Sequence, residues 1–400
     1  MEQDKFRLLF EHSSDAHLIL MGERITDCNE AAVQLLRAGS KNDILCKHPA
    51  YFSPPHQPDG ALSSEKSARM DALTRQKGYH RFEWFHRKMD GEIFPVQVTL
   101  NAIEIEGQPA LIAVWHDLTE LKQKEQSLQR AREKLKKELD AAAQIQRSLL
   151  PVSSPLFKGL KASWIFKPCD ELGGDMLNIF QLDEKHLGLY VLDVTGHGVA
   201  ASLLSVAVSQ FLSPYSEASF VRSSHGGNKV SYAKPAEVAR KLNQHFCSNP
   251  EQVQMFTLLY GVLNVETREF CYVCAGHPLP VIVSTAGLPH GVEGSGIPIG
   301  VMPDYVYGEL CLKLQPGDRL YLYSDGMLEA KNTRRELFGQ TRWMKILEQT
   351  RGEPLSESLE KIVRETEAWC KPALPGDDIT ILACEVQALG TPHEGVFNNP

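Results

Sequence analysis

Five aspartates in four short motifs are the residues of this chain best suited to chemistry. Asp175 ends the motif GGD, Asp193 lies in LDVTGHG, Asp325 lies in SDG, and Asp377 and Asp378 lie together in GDDIT. Hard cations such as Mg²⁺ and Mn²⁺ take carboxylate oxygens as ligands, and a pair of such ions can activate a water against a phosphate ester. The motifs therefore indicate metal-assisted phosphoryl hydrolysis.

The simpler alternative to metal binding is that each aspartate is an ordinary turn residue beside glycine. Two apolar runs, LGLYVLDV and DRLYLYSDG, each read as a buried strand that ends at an aspartate and a glycine turn. A third run, ITILACEV, reads as a strand that begins directly after the aspartate pair. Strand ends on a rigid scaffold can hold ligands in a fixed geometry, so the shared context favours a metal site.

The order of the motifs carries a family resemblance. The chain contains, in succession, GGD, DVTGHGVAASLL, CAGHPLPVIV, GIPIGV, LYSDGMLEA and GDDITIL. This series resembles the metal-dependent serine/threonine protein phosphatases of the PPM type, in their bacterial SpoIIE-like branch, over residues 151–388. Six motifs in a fixed order are far more specific than one glycine motif.

The resemblance implies an αββα sandwich, two antiparallel sheets flanked by helices, with two Mn²⁺ or Mg²⁺ ions at one end. It implies that Asp193 bridges the metals and that the backbone carbonyl of Val194 is a further ligand. Asp325 and Asp377 would hold one metal, and Asp175 would act on the other, partly through water. The implied reaction is in-line attack of a metal-activated water on phosphorus, without a phosphoenzyme.

Four further residues complete the expected site. Asp378 belongs to the expected metal site, behind the direct ligands. His197 is the candidate to protonate the leaving oxygen, because imidazole titrates near neutral pH; its alternative role is a turn histidine before the next helix. Asn178 stands where the branch often has another acid, and it would keep an oxygen ligand without charge. Lys167 either replaces the family's phosphate-binding arginine or is solvated.

The N-terminal region resembles a PAS sensor domain, an antiparallel sheet with short helices. Its ending WHDLTE matches the family's Asp-x-Thr junction between the last strand and a signalling helix. Asp117 and Thr119 would cap the start of that helix, and a hairpin turn is predicted at residues 106–108.

The ligand of this PAS region stays open at the level of sequence. Cys28 and Cys46 lack the Asn-Cys-Arg context of a flavin photosensor, which argues against light sensing. A haem, a small molecule and a protein partner are the alternatives. The histidines available to a haem, which are otherwise expected to be solvated, are His48, His56, His80 and His86.

The segment between the two regions has no glycine or proline until Pro151, which predicts one long helix. Apolar residues recur in it every seven positions, at Leu121, Leu128, Leu135, Ala142 and Leu149. A second seam is filled in part, at Leu118, Leu139 and Ile145 or Gln146, and is broken by Glu125 and Arg132. The pattern predicts a parallel homodimeric coiled coil, with a solitary charged spacer helix as the alternative.

Composition bounds the remaining possibilities. A chain of 400 residues predicts two or more domains, and a net charge of -8 argues against nucleic-acid binding. No apolar run reaches membrane-spanning length and the start is charged, so a cytoplasmic protein is expected. Nine cysteines without scaffold spacing fit a reducing compartment. Cys271 and Cys274 are predicted to face opposite sides of a strand, which excludes a zinc site.

The sequence therefore predicts an α+β chain in four parts: a PAS domain (1–119), a signalling coiled coil (120–150), a PPM-type phosphatase domain (151–388) and a disordered tail (389–400). The expected function is a signal-regulated protein serine phosphatase that uses Mn²⁺ or Mg²⁺. By family analogy, its substrate is a phosphorylated anti-anti-sigma factor. The alternatives are a sensor scaffold that binds its partner without turnover and a hydrolase of small phosphoesters.

Overall fold

The computed structural model describes residues 2–151, 159–196, 198–223, 231–247, 254–285 and 288–387. The chain divides into two compact units between residues 135 and 136. The predicted tail and His197 lie outside the described residues, and the four predicted domain boundaries stay predictions.

Unit 1 is built on a five-stranded antiparallel sheet with the strand order β2-β1-β5-β4-β3. Its strands are β1 (Ala16–Met21), β2 (Arg24–Cys28), β3 (Tyr79–Arg87), β4 (Ile93–Ile105) and β5 (Gln108–Asp117). Its helices are α1 (Glu2–Glu11), α2 (Glu30–Leu36) and α3 (Ser63–Lys77). Alternate residues of β4, including Val96 and Val98, are buried, as expected for a sheet with one face on a core. The PAS-like fold is confirmed.

The hairpin predicted in this unit joins β4 to β5. Glu106 and Gly107 both have positive φ, 51° and 76°, which is the backbone of the tight turn that matches strand twist. At the far end of β5, Asp117 accepts the backbone N–H of Thr119 at 2.8 Å and so caps the helix that follows. The Thr119 hydroxyl is buried and finds no partner within the described part of the chain, so capping falls to Asp117 alone.

The long helix α4 (Thr119–Ser148) runs across the division between the units, as predicted from the absence of glycine and proline. Three of the heptad leucines are exposed, Leu121 at 53%, Leu128 at 72% and Leu135 at 56%. The fourth, Leu149, packs instead against the core of unit 2. The seam that a second copy could cover therefore ends before Leu149, because the last turns of α4 are packed within unit 2.

Unit 2 contains two five-stranded antiparallel sheets and a two-stranded one. The first sheet has the order β15-β12-β11-β8-β7, the second β14-β13-β16-β17-β6, and the small one pairs β10 with β9. The strands are β6 (Leu160–Lys167), β7 (Met176–Gln181), β8 (His186–Val194), β9 (Arg222–Ser223), β10 (Ser231–Tyr232), β11 (Phe256–Asn264), β12 (Glu269–Ala275), β13 (Val281–Val283), β14 (His290–Gly291), β15 (Glu309–Lys313), β16 (Arg319–Tyr323) and β17 (Ile379–Val386). The helices are α5 (Val199–Leu212), α6 (Pro235–Phe246), α7 (Gly339–Gln349) and α8 (Leu355–Cys370).

The layers of unit 2 follow from strands that are buried on both faces. In β16, Leu320 and Leu322 enter the core between the two sheets, whereas Tyr321 and Tyr323 pack beneath α7 and α8. On the other side, α5 and α6 pack against the first sheet. Successive side chains of a strand point to opposite faces, so continuous apolar runs such as RLYLY fit a sheet covered on both sides. The αββα sandwich is confirmed.

The expectation that the cysteines lack disulfide pairing needs one correction. Cys271 and Cys311 lie directly opposite each other on β12 and β15 and form a disulfide. Forty residues separate them in sequence, so spacing gave no sign of the pair. Cys274 is buried and separate from this pair, in agreement with the prediction that it and Cys271 face opposite ways.

Among the described residues, no helix combines the length and apolar character that crossing a bilayer requires.

Candidate metal centre

The aspartates gather at one end of the sandwich because of how its strands run. Neighbouring antiparallel strands run in opposite directions, so the end of one lies beside the start of the next. Met176 pairs with Leu192, which brings Asp175, just before β7, beside Asp193 near the end of β8. In the second sheet, Asp325 follows β16 by two residues, and the pair at 377–378 comes directly before β17.

Asp378 joins the edges of the two sheets. One carboxylate oxygen accepts the backbone N–H of Cys169 at 2.8 Å. The other accepts the N–H groups of Gly174 at 2.7 Å and Asp175 at 3.2 Å. Both oxygens of this buried side chain are thus used to hold the backbone of residues 169–175, and this geometry favours a supporting role behind the direct ligands.

Glycines at this end of the sandwich allow backbone segments to approach closely. A Cβ on Gly174 would lie 2.9 Å from the carbonyl oxygen of Val194 and 3.0 Å from that of Gly196. A Cβ on Gly326 would lie 2.1 Å from the carbonyl oxygen of Asp378. The GGD and SDG motifs therefore need glycine for packing, and the first brings the Val194 carbonyl to the GGD loop.

Burial and mutual repulsion raise the pKa values of the gathered acids. Asp175 is 1% exposed, and burial, followed by the charge of Asp193, raises its pKa well above the ordinary value. Burial, followed by the charges of Asp325 and Asp377, raises the pKa of Asp193 to about 7. The pKa of Asp325 is raised by burial and then by Glu329. Burial and mutual repulsion thus disfavour the charged forms of these carboxylates, and a bound cation would stabilise them.

The donor set fits divalent metal. Oδ2 of Asp175 is buried, and within the described ranges no group donates a hydrogen bond to it. Buried polar atoms are almost always paired, so such an oxygen beside other carboxylates is the kind of atom that Mn²⁺ or Mg²⁺ would bind.

Two of the expected site residues have other partners. The Asn178 side chain donates to the carbonyl oxygen of Leu149 at 3.2 Å and accepts the N–H of Ile179 at 2.8 Å. Its side chain binds the backbone, which opposes the expectation that it supplies a metal ligand. Lys167 forms an ion pair with Glu367, which favours the alternative of a surface lysine over a phosphate-binding one.

Several residues at this centre were missed from the sequence. The ligand atoms of Cys169, Asp377 and Asp378 lie within 4.8 Å of one another. No spacing marks Cys169, since it precedes GGD without a motif of its own. His277, in the motif CAGHP, is buried, and its Nδ1 lies 2.7 Å from the hydroxyl of Thr257. The available sequence signal was the position of this histidine between a glycine and a proline in that motif.

Unit 1 has a separate candidate site, a cavity lined mainly by apolar residues, some of them aromatic, with a few polar ones. The buried His86 stacks on Trp115 with ring centroids 3.8 Å apart, and its Nδ1 lies 2.9 Å from the carbonyl oxygen of Phe52. Burial lowers the pKa of His86 to about 3, so the ring is neutral. Its Nε2 is buried and unpartnered among the described residues. Of the four histidines considered for a haem, this one lines the cavity.

Comparisons with known proteins agree with this division of the chain. The family model described as stage II sporulation protein E (SpoIIE) matches residues 183–387, and a PAS domain model matches residues 14–120. Phosphoserine phosphatase RsbU of Bacillus subtilis is 25% identical over 247 residues, covering 62% of this chain and 69% of RsbU. Protein IcfG of a Synechocystis species is 27% identical over 260 residues, covering 62% of this chain.

Other relatives match over part of their length. Phosphoserine phosphatase RsbP of B. subtilis is 27% identical over 199 residues, covering 48% of this chain and 46% of RsbP. The chain spans 41% of the length of IcfG. The SiaA-PP2C domain of Pseudomonas aeruginosa has a TM-score of 0.54 at 23% identity, covering 64% of this chain and 99% of that domain. This structural likeness shows the PP2C-type fold of unit 2.

Proposed function

Because this chain belongs to the SpoIIE family, whose model matches residues 183–387, we propose that it is a PAS-regulated, metal-dependent protein serine phosphatase. The observation that carries the proposal is the meeting of acids from both sheets at one end of the sandwich. Asp175 and Asp193 come from one sheet, and Asp325 and Asp377 from the other. Raised pKa values and an unpartnered buried oxygen support a cation-binding role for this cluster.

The proposed ligands are the carboxylates of Asp175, Asp193, Asp325 and Asp377 and the backbone carbonyl of Val194. When bound, a pair of Mn²⁺ or Mg²⁺ ions supplies an activated water and neutralises charge on the phosphoryl oxygens. Asp378 holds the backbone of residues 169–175 in place through three accepted N–H bonds, two of them from the GGD motif. His197 is the proposed proton donor to the leaving serine oxygen.

The proposed substrate is a phosphoserine protein. Two of the relatives are named phosphoserine phosphatases, RsbU and RsbP. By analogy with the family's partner-switching pathways, we propose a phosphorylated anti-anti-sigma factor as the partner. Substrate choice depends on surfaces away from the metals, so this step rests on the analogy alone.

Regulation is proposed to come from the PAS region through α4. Leu121, Leu128 and Leu135 form an exposed apolar stripe on an otherwise charged helix. A second copy of the same helix would cover such a stripe in a parallel coiled coil, which supports a homodimer.

Two alternatives remain distinct from this proposal. A catalytically silent scaffold would keep the fold and bind its partner without turnover, and the loss of a charged side chain at Asn178 is the feature that favours it. A hydrolase of small phosphoesters would use the same acids. The complete set of clustered aspartates argues against the scaffold, since a silent domain has no need to keep repelling carboxylates together at one site.

The test is phosphate release from a phosphoserine protein by the full chain, with and without Mn²⁺. We expect release that requires metal and is abolished by Asp193→Asn. Asp304→Asn is the matched control, because Asp304 is exposed on a loop. Metal-independent release, or equal release by Asp193→Asn, would contradict the proposed centre, and absence of any release by the parent chain would favour the scaffold.

A further inference from the structure

The last turns of α4 bury a polar residue where a packing helix usually buries an apolar one. Ala143 and Gln146 lie on the face that packs within unit 2, and Gln146 is 2% exposed. The neighbouring Ile145 is 65% exposed, so the helix buries the amide and leaves the apolar side chain outside. A buried amide destabilises the fold unless its donors and acceptor are paired. The hydrogen-bond partners of the Gln146 amide therefore indicate its role in the structure.

Those partners are the backbone of the GGD motif. Nε2 of Gln146 donates to the carbonyl oxygen of Gly173 at 2.7 Å, and Oε1 accepts the N–H of the same glycine at 3.3 Å. One side chain thus satisfies both backbone polar groups of Gly173, in the manner of a neighbouring strand. The same Nε2 lies 3.4 Å from the hydroxyl of Ser205 on α5.

The loop held by Gln146 is the one that carries Asp175. On its other side, Asp378 accepts the N–H groups of Gly174 and Asp175, and a Cβ on Gly173 would lie 2.7 Å from an Asp378 oxygen. Gln146 and Asp378 therefore grip the loop from two sides and leave little freedom for its backbone. The same loop carries the buried Oδ2 of Asp175, which has no hydrogen-bond partner among the described residues.

A second bond ties the end of the same helix. The last carbonyls of a helix have no partner within it. Asn178, on β7, donates its side-chain N–H to the carbonyl of Leu149, one residue past the end of α4. The final turn of α4 is therefore bonded both to the loop before β7 and to β7 itself.

We propose that Gln146 is a positioning residue for the metal centre: by clamping Gly173, its side chain orients Asp175 and so increases the affinity of the site for Mn²⁺. The inference rests on the proposed function, since it assigns a role toward the metal centre named there. Gln146 touches neither substrate nor metal. It acts through the backbone of the GGD loop.

The test compares Gln146→Met with Gln146→Leu and with Gln144→Met in the full chain. Met and Leu have side chains of similar volume to Gln, but they are apolar and cannot form hydrogen bonds with the backbone of Gly173. Gln144 is exposed on the same helix, so its variant controls for helix composition. Mn²⁺ binding is measured by titration calorimetry, and folding by circular dichroism.

We expect the dissociation constant for Mn²⁺ to rise about tenfold in both Gln146 variants, as for the loss of residues that orient metal ligands, and to stay unchanged in Gln144→Met. Phosphate release by the Gln146 variants should need more Mn²⁺ but recover its kcat at saturating metal, with KM for the phosphoprotein unchanged. A purely structural role would lower the unfolding temperature without moving the metal dependence.

Each remaining outcome decides the question. Folded Gln146 variants that bind Mn²⁺ within twofold of the parent overturn the proposal. If neither variant folds, residue 146 supports the fold as a whole and the assignment also falls. If the parent chain binds Mn²⁺ but releases no phosphate, the proposed function fails while the comparison of affinities still tests Gln146.

Discussion

At the scale of single residues, the metal centre is a place where stability is given up for function. The buried Asp175 lies beside the half-buried Asp193, although each would carry a charge when it binds a metal. Burial and neighbouring acids raise their pKa values, which means that the folded chain disfavours the very charges that would bind metal. A bound cation removes this conflict, so metal binding and folding are coupled.

The first prediction concerns the pH dependence of stability without metal. The pKa of Asp193 is about 7 in the folded chain and near 4 when unfolded, so the group destabilises the fold increasingly as pH rises from 4 to 7. Asp193→Asn removes this penalty, which could reach about 4 kcal/mol at about 1.4 kcal/mol per pKa unit. In EDTA, we expect the variant to unfold at a higher temperature than the parent at pH 8 and at a similar one at pH 4.

Thermal unfolding followed by circular dichroism checks this, with Asp304→Asn as control. The same protons compete with metal, so affinity for Mn²⁺ should weaken as pH falls below 7. A metal-free parent chain that is as stable as Asp193→Asn at pH 8 would show that the acids are less strained than their burial indicates.

The second prediction separates the two roles considered for His197. A general acid matters most when the leaving group is basic, as a serine alkoxide is, and little when it is p-nitrophenolate. His197→Ala should therefore lower kcat on a phosphoserine protein by about a hundredfold or more, with a much smaller effect on p-nitrophenyl phosphate. Steady-state kinetics on both substrates measures this, and an equal loss on both would support the turn histidine instead.

At the scale of elements, α4 changes its environment along its length. Its early turns expose leucines every seven residues, whereas its last turns bury Ala143 and Gln146 within unit 2. The heptad prediction therefore applies to the exposed part, and the packing of Leu149 in the core limits how far a coiled coil can extend. One helix thus has two kinds of face, and each needs a different partner.

The third prediction tests the homodimer on that exposed part. In a parallel coiled coil, two Leu128 side chains would face each other, so Leu128→Cys should form a disulfide-linked dimer under mild oxidation. Arg130→Cys is the control, because residue 130 would point away from the seam. The parent chain supplies the background from its own cysteines. Non-reducing electrophoresis reads the result, and equal crosslinking at both positions, or none at Leu128→Cys, would exclude the seam.

At the scale of the whole molecule, the chain joins a unit with a largely apolar cavity to a unit with an acidic cluster. The neutral His86 lines the cavity, and the cluster contains carboxylates whose charged forms a cation would stabilise. These are the features expected of a sensor and of an enzyme. The net charge of -8 provides no general attraction for a negatively charged phosphoprotein, so the proposed substrate would have to bind through local surfaces.

The fourth prediction concerns the size of the substrate. A protein phosphatase can use contacts far from phosphorus to stabilise the transition state. We expect kcat/KM for a phosphorylated anti-anti-sigma factor to exceed that for p-nitrophenyl phosphate by roughly a hundredfold or more, in the presence of Mn²⁺. Comparable values for the two would favour the hydrolase of small phosphoesters.

Local sequence patterns predict the secondary-structure elements and the acidic character of the candidate site. Apolar runs such as LGLYVLDV and RLYLY predict strands buried on both faces, and the long segment without glycine or proline predicts α4. The motifs around Asp193 and Asp325 predict carboxylates at strand ends. These are local properties, because backbone conformation and side-chain periodicity depend mainly on neighbouring residues.

The pairs of groups that meet in space depend on tertiary contacts, which the motifs do not encode. Asp378 could have been a ligand or a support, and the three N–H groups that it accepts come from residues about 200 positions away. Asn178 and Gln146 found backbone partners that no motif encodes, and Cys271 found Cys311 through strand pairing. Hydrogen bonds and disulfides form between atoms that are close in space, and strand register and helix packing, rather than sequence spacing, set that closeness.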